Sequence, residues 1–276
     1  MILNLDKNFN PFPNKKQITF ESFVFSGGEP HIKISDDLKD VVQVTVSHRI
    51  NSFNDFGLLL IAIDALKRMK IEKINVFIPY FPAARQDRLM QKGESLSVKV
   101  YADILNGLNL NKVTVFDVHS EVTTALLNNC TSLNNHIFIE KVIQKINKDI
   151  VLISPDAGAL KKIYTLAKHL QKYEVIECSK TRNVLTGKIK DFKVYHEDLN
   201  GKDCLIVDDI CDGGQTFIGL AKALKTKNAG KLYLAVSHGI FSKGLKELNN
   251  YFEMIFTTDS VKKLDDEKVI QIALKL

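Results

Sequence analysis

The stretch Leu205-Ile206-Val207-Asp208-Asp209-Ile210-Cys211-Asp212-Gly213-Gly214-Gln215-Thr216-Phe217 constrains the chain most. Its apolar run is too short for a buried helix. It meets two adjacent carboxylates, then a glycine pair, then Thr216, which leads into a helical pattern over residues 217–224. The order predicts a strand, an acidic turn, a phosphate-cradling loop and a helix. Two acids at the carboxyl end of a buried parallel strand can accept hydrogen bonds from sugar hydroxyls or help hold a divalent cation. Backbone N–H groups of a glycine-rich turn before a helix bind an anion. The same Asp-Asp pair could serve the magnesium of a nucleoside-triphosphate hydrolase, and a glycine pair can be no more than a turn. The chain has no Gly-x-x-x-x-Gly-Lys-Ser/Thr stretch, which weighs against the hydrolase.

A chain of 276 residues, 45% hydrophobic and 25% charged, has room for two domains with separate cores and is not disordered in composition. Its net charge of +6 comes from 38 basic and 32 acidic residues without a long basic block. Phosphate-bearing small molecules account for it as well as nucleic acid would, and no zinc-finger or aromatic RNA-binding signature is present; no nucleic-acid partner is expected. Most of these charges fit a solvated lysine-rich surface. Cys130, Cys178, Cys204 and Cys211 lack C-x-x-C spacing and suit a reducing, cytoplasmic compartment. No stretch approaches the length of a membrane span, and residues 1–16 do not read as a secretory signal; no membrane partner is expected.

Taken in order, residues 18–25 and 31–34 alternate as half-buried strands around Ser26-Gly27-Gly28-Glu29-Pro30 and predict a hairpin. Strands are expected at 41–46, 73–79, 112–116, 150–153, 175–178, 205–207, 232–237 and 254–257, with 192–196 as a hairpin arm. Helices are expected at 52–70, 98–108, 138–147 and 160–170, the first favoured at its start by Asn54 and Asp55. Strands and helices alternating at this spacing predict parallel sheets covered by helices. The asparagine-rich stretch 128–135 has no hydrophobic period, so the chain is read as two α/β domains, 1–134 and 135–276.

Polar groups recur where these strands end: Arg85, Gln86 and Arg88, then Asp117 and His119, Asp156, Lys180 and Arg182, and Asp208, Asp209 and the 212–216 loop. Each alone has an ordinary structural explanation, a salt-bridged surface loop or a packed histidine. Doubly wound sheets bind ligands at that edge, so their recurrence favours a site.

The 205–217 stretch resembles the ribose-phosphate loop of the type I phosphoribosyltransferase fold, and residues 23–258 resemble the ribose-phosphate diphosphokinase family. The likeness is carried by Phe25-Ser-Gly-Gly-Glu29, Asn54-Asp55, the 63–68 helix segment, Ile78-Pro-Tyr-Phe-Pro-Ala-Ala-Arg-Gln-Asp-Arg88, Asp117-Val-His119, Ser154-Pro-Asp-Ala-Gly158, Lys180-Thr-Arg182, the 208–216 loop and Ser237-His-Gly-Ile-Phe-Ser242. It implies two tandem phosphoribosyltransferase-like domains, each a mainly parallel sheet flanked by helices. The implied reaction moves the β,γ-diphosphate of MgATP to the anomeric hydroxyl of a 5-phosphorylated ribose and releases AMP. Arg85, Gln86 and Arg88 would bind ATP, and Phe25 and Glu29 would reach the adenine from a neighbouring subunit, which implies a homo-oligomer. His119 and Asp156 would hold Mg2+. Lys180 and Arg182, on a loop, would neutralise charge during transfer, and His119 is counted with them as catalytic. Asp208 and Asp209 would hold the ribose hydroxyls, and Asp212, Gly213, Gly214, Gln215 and Thr216 the 5-phosphate.

Departures from the family pattern bear on the acceptor. The 5-phosphate loop of relatives usually reads Asp-Thr-Gly-Gly-Thr, whereas residues 212–216 lack one hydroxyl and carry a glutamine at a glycine position. Ribose 5-phosphate and the longer ADP-ribose, whose product would feed NAD synthesis, are both carried forward as acceptors. Gly27 replaces an amide or acid, and Lys92-Gly93-Glu94 replaces a Ser-Arg-Ala stretch tied in relatives to regulation, so the usual allosteric control is not expected. A non-catalytic regulatory partner would not need Lys180, Arg182, His119 and Asp156. A phosphoribosyltransferase would leave the stretch around Arg85 without a use.

Overall fold

Short runs rich in Val, Ile and Phe become most of the strands, and five strands lie parallel in one sheet. These are β1 (Ile2–Asn4), β4 (Gln43–Ser47), β5 (Lys73–Ile78), β6 (Lys112–Phe116) and β7 (Cys130–Leu133), in that spatial order. Between β1 and β4 comes an antiparallel hairpin, β2 (Phe20–Val24) and β3 (Pro30–Ile34). Three helices connect the later strands: α1 (Phe53–Arg68), α2 (Ser97–Asn106) and α3 (Glu121–Leu126). The computed structural model describes residues 1–182 and 189–276. These elements belong to its first unit, Met1–Asn134 with Ala273–Leu276.

The second unit, Asn135–Ile272, holds a seven-stranded sheet. Its elements are α4 (His136–Ile146), β8 (Ile150–Ser154), α5 (Leu160–Leu170), β9 (Val175–Arg182), β10 (Ile189–Val194), β11 (Asp203–Cys211), α6 (Gln215–Thr226), β12 (Leu232–Gly239), β13 (Met254–Thr258) and β14 (Val269–Ile272). The spatial order is β10-β9-β8-β11-β12-β13-β14, and only the β9–β10 pairing is antiparallel. From β8 the chain moves one way to β9 and then returns to place β11 on the other side. The β8/β11 boundary is therefore a reversal of strand order, where open α/β sheets leave a crevice at the carboxyl ends.

Burial explains the alternation. The core of the first unit gathers Val44, Val46, Val76, Ile78 and Val113 from the sheet with Phe56, Leu59, Ile63 and Leu66 from α1. In the second, Ile153, Ile206, Leu234, Val236 and Ile255 pack against Phe217, Leu220, Ala221 and Leu224 of α6. Gly219 allows a close approach there, because a β-carbon on it would lie 2.2 Å from the Phe192 ring. All four cysteines are free; burial pushes the Cys178 and Cys204 thiols up to about 12, and none is poised as a thiolate nucleophile.

Several local expectations change. Helix α1 is capped by Ser52, whose Oγ accepts from Asp55 N at 3.2 Å while Asp55 Oδ2 accepts from Asn51 N and Ser52 Oγ; Asn54 has no part in the cap. The stretch 130–133 pairs with β6 although it lacks a hydrophobic period, because an edge strand needs only one ladder. Asp208 and Asp209 are strand residues, not a turn: parallel pairing continues from Asp208 with Val236 to Cys211 with Gly239. Lys180 lies on β9, not on a loop, held opposite Phe192 by the β10 hairpin. The last four residues join the first unit, where Leu276 N donates to Pro11 O.

Candidate active site

In the second unit the expected residues meet at the reversal. Asp156, just beyond β8, caps a 3-10 turn over Ala157–Ala159: its Oδ1 accepts from Gly158 N at 2.8 Å and Ala159 N at 3.2 Å. Its Oδ2 pairs with Lys180 Nζ, both side chains about one-fifth exposed. Strand β9 runs on to Arg182, whose side chain lies outside the described residues.

On β11, Asp208 and Asp209 are neighbours, and Asp209 N donates to Asp208 Oδ1 at 2.9 Å. Burial raises the Asp208 carboxyl well above the carboxylate range, reinforced by the charge of Asp209 and, further off, of Asp156. Asp209 faces Lys162 Nζ of α5 at 3.8 Å. Lys162 had no strand-end signal; its only mark in the sequence is the Lys161-Lys162 pair after the Ser154–Gly158 stretch.

Strand β11 then gives way to Asp212-Gly213-Gly214, and α6 begins at Gln215. Gly214 has φ +77°, left-handed, and a β-carbon there would sit 3.1 Å from Leu248. The loop thus presents backbone N–H groups at the start of a 12-residue helix, a geometry suited to a phosphate. Gln215 Nε2 donates to Glu247 Oε2 at 3.0 Å. Lys243, unmarked in the sequence, lays its methylenes over Gly213.

In the first unit the expected residues sit on loops beyond the strands. Arg85, Gln86 and Arg88 are exposed on the turns after β5, set by Ala83 at φ +56° and a bond from Gln86 N to Ala83 O. Between them Asp87 is buried and accepts from Arg88 Nε at 3.1 Å. Burial pushes its carboxyl up, but hydrogen bonds from Arg88 and Ser120 and the guanidinium charge outweigh that and hold it below the usual range. Exposed His119 lies between β6 and α3, next to Ser120, which caps α3. Phe25 and Glu29 close the β2–β3 turn through Phe25 N to Glu29 O at 2.9 Å; Phe25 is half exposed and touches Phe23 and His31. Gly27 leaves room for Glu29, since a β-carbon would fall 2.5 Å from its Oε2.

Among the described residues no three His, Cys, Asp or Glu side chains converge as a metal cluster. Asp156 has Oδ1 committed to the turn and Oδ2 paired with Lys180, so a cation would have to share Oδ2 with that ammonium or replace it. A carboxylate oxygen such as that of Asp156 and, in the other unit, an imidazole such as that of His119 are each donor types that magnesium accepts while keeping much of its water. No helix among the described residues is long and apolar enough to cross a membrane.

Comparison with known proteins identifies the group. The N-terminal domain of ribose phosphate pyrophosphokinase matches residues 14–108, and the phosphoribosyl transferase domain matches residues 125–273. A ribose-phosphate pyrophosphokinase of Mycoplasma genitalium is 32% identical over 228 residues, 81% of this chain and 68% of that protein. One from Mycoplasmopsis pulmonis is 29% identical over 262 residues, 91% and 81% of the two chains. The crystal structure of phosphoribosylpyrophosphate synthetase from Mycobacterium smegmatis shares the fold, with a TM-score of 0.81 at 21% identity over 99% of this chain and 94% of that one. With both halves matched in order and the two mainly parallel sheets in place, the chain belongs to the ribose-phosphate pyrophosphokinase family of ATP-dependent diphosphotransferases.

Proposed function

We propose that the protein transfers the β,γ-diphosphate of MgATP to the anomeric hydroxyl of ribose 5-phosphate, forming phosphoribosyl diphosphate and AMP. The observation that carries this is the β11 edge: two crowded carboxylates followed without a break by a glycine loop and a helix start, in a chain of this family. Ribose hydroxyls would donate to Asp208 and Asp209 and relieve their mutual repulsion, orienting the anomeric oxygen. The 212–216 loop would take the 5-phosphate through Gly213, Gly214, the α6 N–H groups and the Thr216 hydroxyl. The anomeric oxygen then bonds to the β-phosphorus, the bond from that phosphorus to the α–β bridging oxygen breaks, AMP leaves with that oxygen, and the hydroxyl proton passes to water.

Arg85, Gln86 and Arg88 would hold ATP, the arginines matching phosphate charge in pairs of hydrogen bonds. Phe25 and Glu29 would pack on the adenine of a neighbouring copy in a homo-oligomer, for which the half-exposed Phe23 and Phe25 offer an apolar face. His119 and Asp156 would hold Mg2+, which when bound neutralises charge on the polyphosphate. Lys180 waits on Asp156 in the free chain and exchanges that carboxylate for phosphate oxygens; Arg182 assists.

ADP-ribose is the second reading, suggested by the missing hydroxyl at Gly213, although the stem of Lys243 lies over the bare face of that glycine. Against it, the Gln215 amide that a longer substituent could use is already given to Glu247. AMP release from MgATP with either acceptor, and the mass of the product, tests both. Turnover with ribose 5-phosphate and a product heavier by one diphosphate supports the proposal; a strong preference for ADP-ribose replaces the acceptor; silence with both overturns the transfer reading and favours a regulatory partner.

A further inference from the structure

The loop expected to hold the 5-phosphate is poor in side-chain donors. Gly213 has none, and Gln215 is committed to Glu247 at 3.0 Å. The structure supplies another from the segment after β12. Ile240 N and Phe241 N both donate to Cys211 O, at 2.9 and 3.1 Å, and Ser242 N donates to Asp212 O at 3.1 Å. The turn closes through Gly244 N to Phe241 O at 3.0 Å, with Gly244 at φ +74°. Phe241 is buried, its ring so close to Gly239 that a β-carbon there would lie 2.3 Å away.

Lys243 rides on this anchored turn. A β-carbon built on Gly213 would stand 3.5 Å from its Cδ and Cε and 3.7 Å from its Cγ, so the stem lies along the bare face of the glycine. The ammonium is one bond beyond Cε. Lys243 is exposed and makes no ion pair among the described residues. An ordinary surface lysine is not fixed by three main-chain bonds to the strand end that begins a phosphate loop.

We propose that Lys243 supplies the charged donor for the phosphate on C5 of the acceptor, in place of the side chain Gly213 lacks. The inference rests on the reading that the 212–216 loop takes this phosphate. The same chemistry serves a monoester, as in ribose 5-phosphate, or the inner phosphate of a diphosphate, as in ADP-ribose.

The test compares the wild type with Lys243→Met and Lys243→Arg by AMP release at saturating MgATP and by calorimetric binding of each acceptor. A charge-assisted hydrogen bond of this kind predicts a rise in KM and Kd for ribose 5-phosphate of about 10- to 100-fold in Lys243→Met, with the KM for ATP within about twofold. Lys243→Arg restores most of the loss. A partial rescue by Gly213→Thr in the Lys243→Met background supports replacement of one donor by the other.

Unchanged acceptor binding in Lys243→Met, with the wild type active, overturns the inference and leaves the proposed function standing. Weakened binding of ADP-ribose alone reassigns Lys243 to an outer phosphate and overturns it as well. If the wild type binds neither acceptor, the functional reading and this inference fall together. Because Lys243 is exposed, the thermal unfolding of the variants should match the wild type.

Discussion

In the first unit the strands follow the chain in one direction, β1-β4-β5-β6-β7, while in the second the order reverses between β8 and β11. The polar groups differ accordingly. Arg85, Gln86, Arg88 and His119 stand exposed on loops past the strand ends, whereas Asp208 and Asp209 remain inside a paired strand, with Asp209 buried and the Asp208 carboxyl sheltered from water. The carboxylates show the contrast most sharply. Asp87 takes hydrogen bonds from Arg88 and Ser120, with its Oδ2 left unpartnered among the described residues, and is held below its usual range; Asp208 is crowded by like charge and held above it. The polar groups of one unit sit on exposed loops, and the other keeps an electrostatic mismatch that the proposed ribose hydroxyls would relieve.

The largest expected effect lies on the crowded side. Lys180→Ala should lower kcat on the order of a thousandfold, by analogy with other preorganised cationic or hydrogen-bonding stabilisers, with little change in KM for the acceptor. A loss confined to KM would show that Lys180 only binds.

On the loop side, Arg85→Ala should raise KM for ATP about 10- to 100-fold and spare the acceptor. An equal loss for both substrates would end the division of labour drawn between the two units.

The two aspartates predict opposite pH signs. Asp87, with its folded pKa lowered, contributes stability above its unfolded value of about 4, lost as pH falls through the lower folded value. Asp208, with its folded pKa raised, contributes stability fully present below about pH 4 and lost as pH rises through the raised value. At pH 7, Asp87→Asn should therefore destabilise, by about 1–2 kcal/mol as a charged hydrogen bond weakens, and Asp208→Asn should stabilise. Denaturant unfolding from pH 4 to 8 checks both; the same sign for the two variants would erase the contrast.

The smallest effect is at the α1 cap, where Ser52→Ala should cost about 1 kcal/mol, read as a shift in urea midpoint without a change in kinetics.

Much of this was legible in the sequence because it is local. Strand, acid, glycine and helix succeed one another within thirteen residues at 205–217, and period-two runs of Val and Ile announced the sheets. What escaped depends on partners far along the chain. Asp208 to Cys211 read as a turn because carboxylates are rare in strands, yet β12 continues the ladder beside them. Lys180 read as loop until β10 folded back on it. Short elements such as β1, β7 and α3 carry too few apolar residues to show a period. Lys162 and Lys243 reach the β11 edge from α5 and from the turn after β12, and no spacing rule links them to Asp209 or Gly213.

Gly214 combines a left-handed backbone with Leu248 packed 3.1 Å from where a side chain would begin. The left-handed backbone strains any side chain, and a β-carbon would also make Leu248 give by a few tenths of an ångström, so the position favours glycine. Changes of acceptor in this lineage would have to accumulate at its neighbours, 213, 215 and 243, where side chains can be exchanged without moving the backbone. A library randomised across the loop and sorted for a new acceptor should return glycine at 214 in nearly every survivor and diversity at the other three, a pattern of fixed hinge and variable rim set before any substrate is chosen.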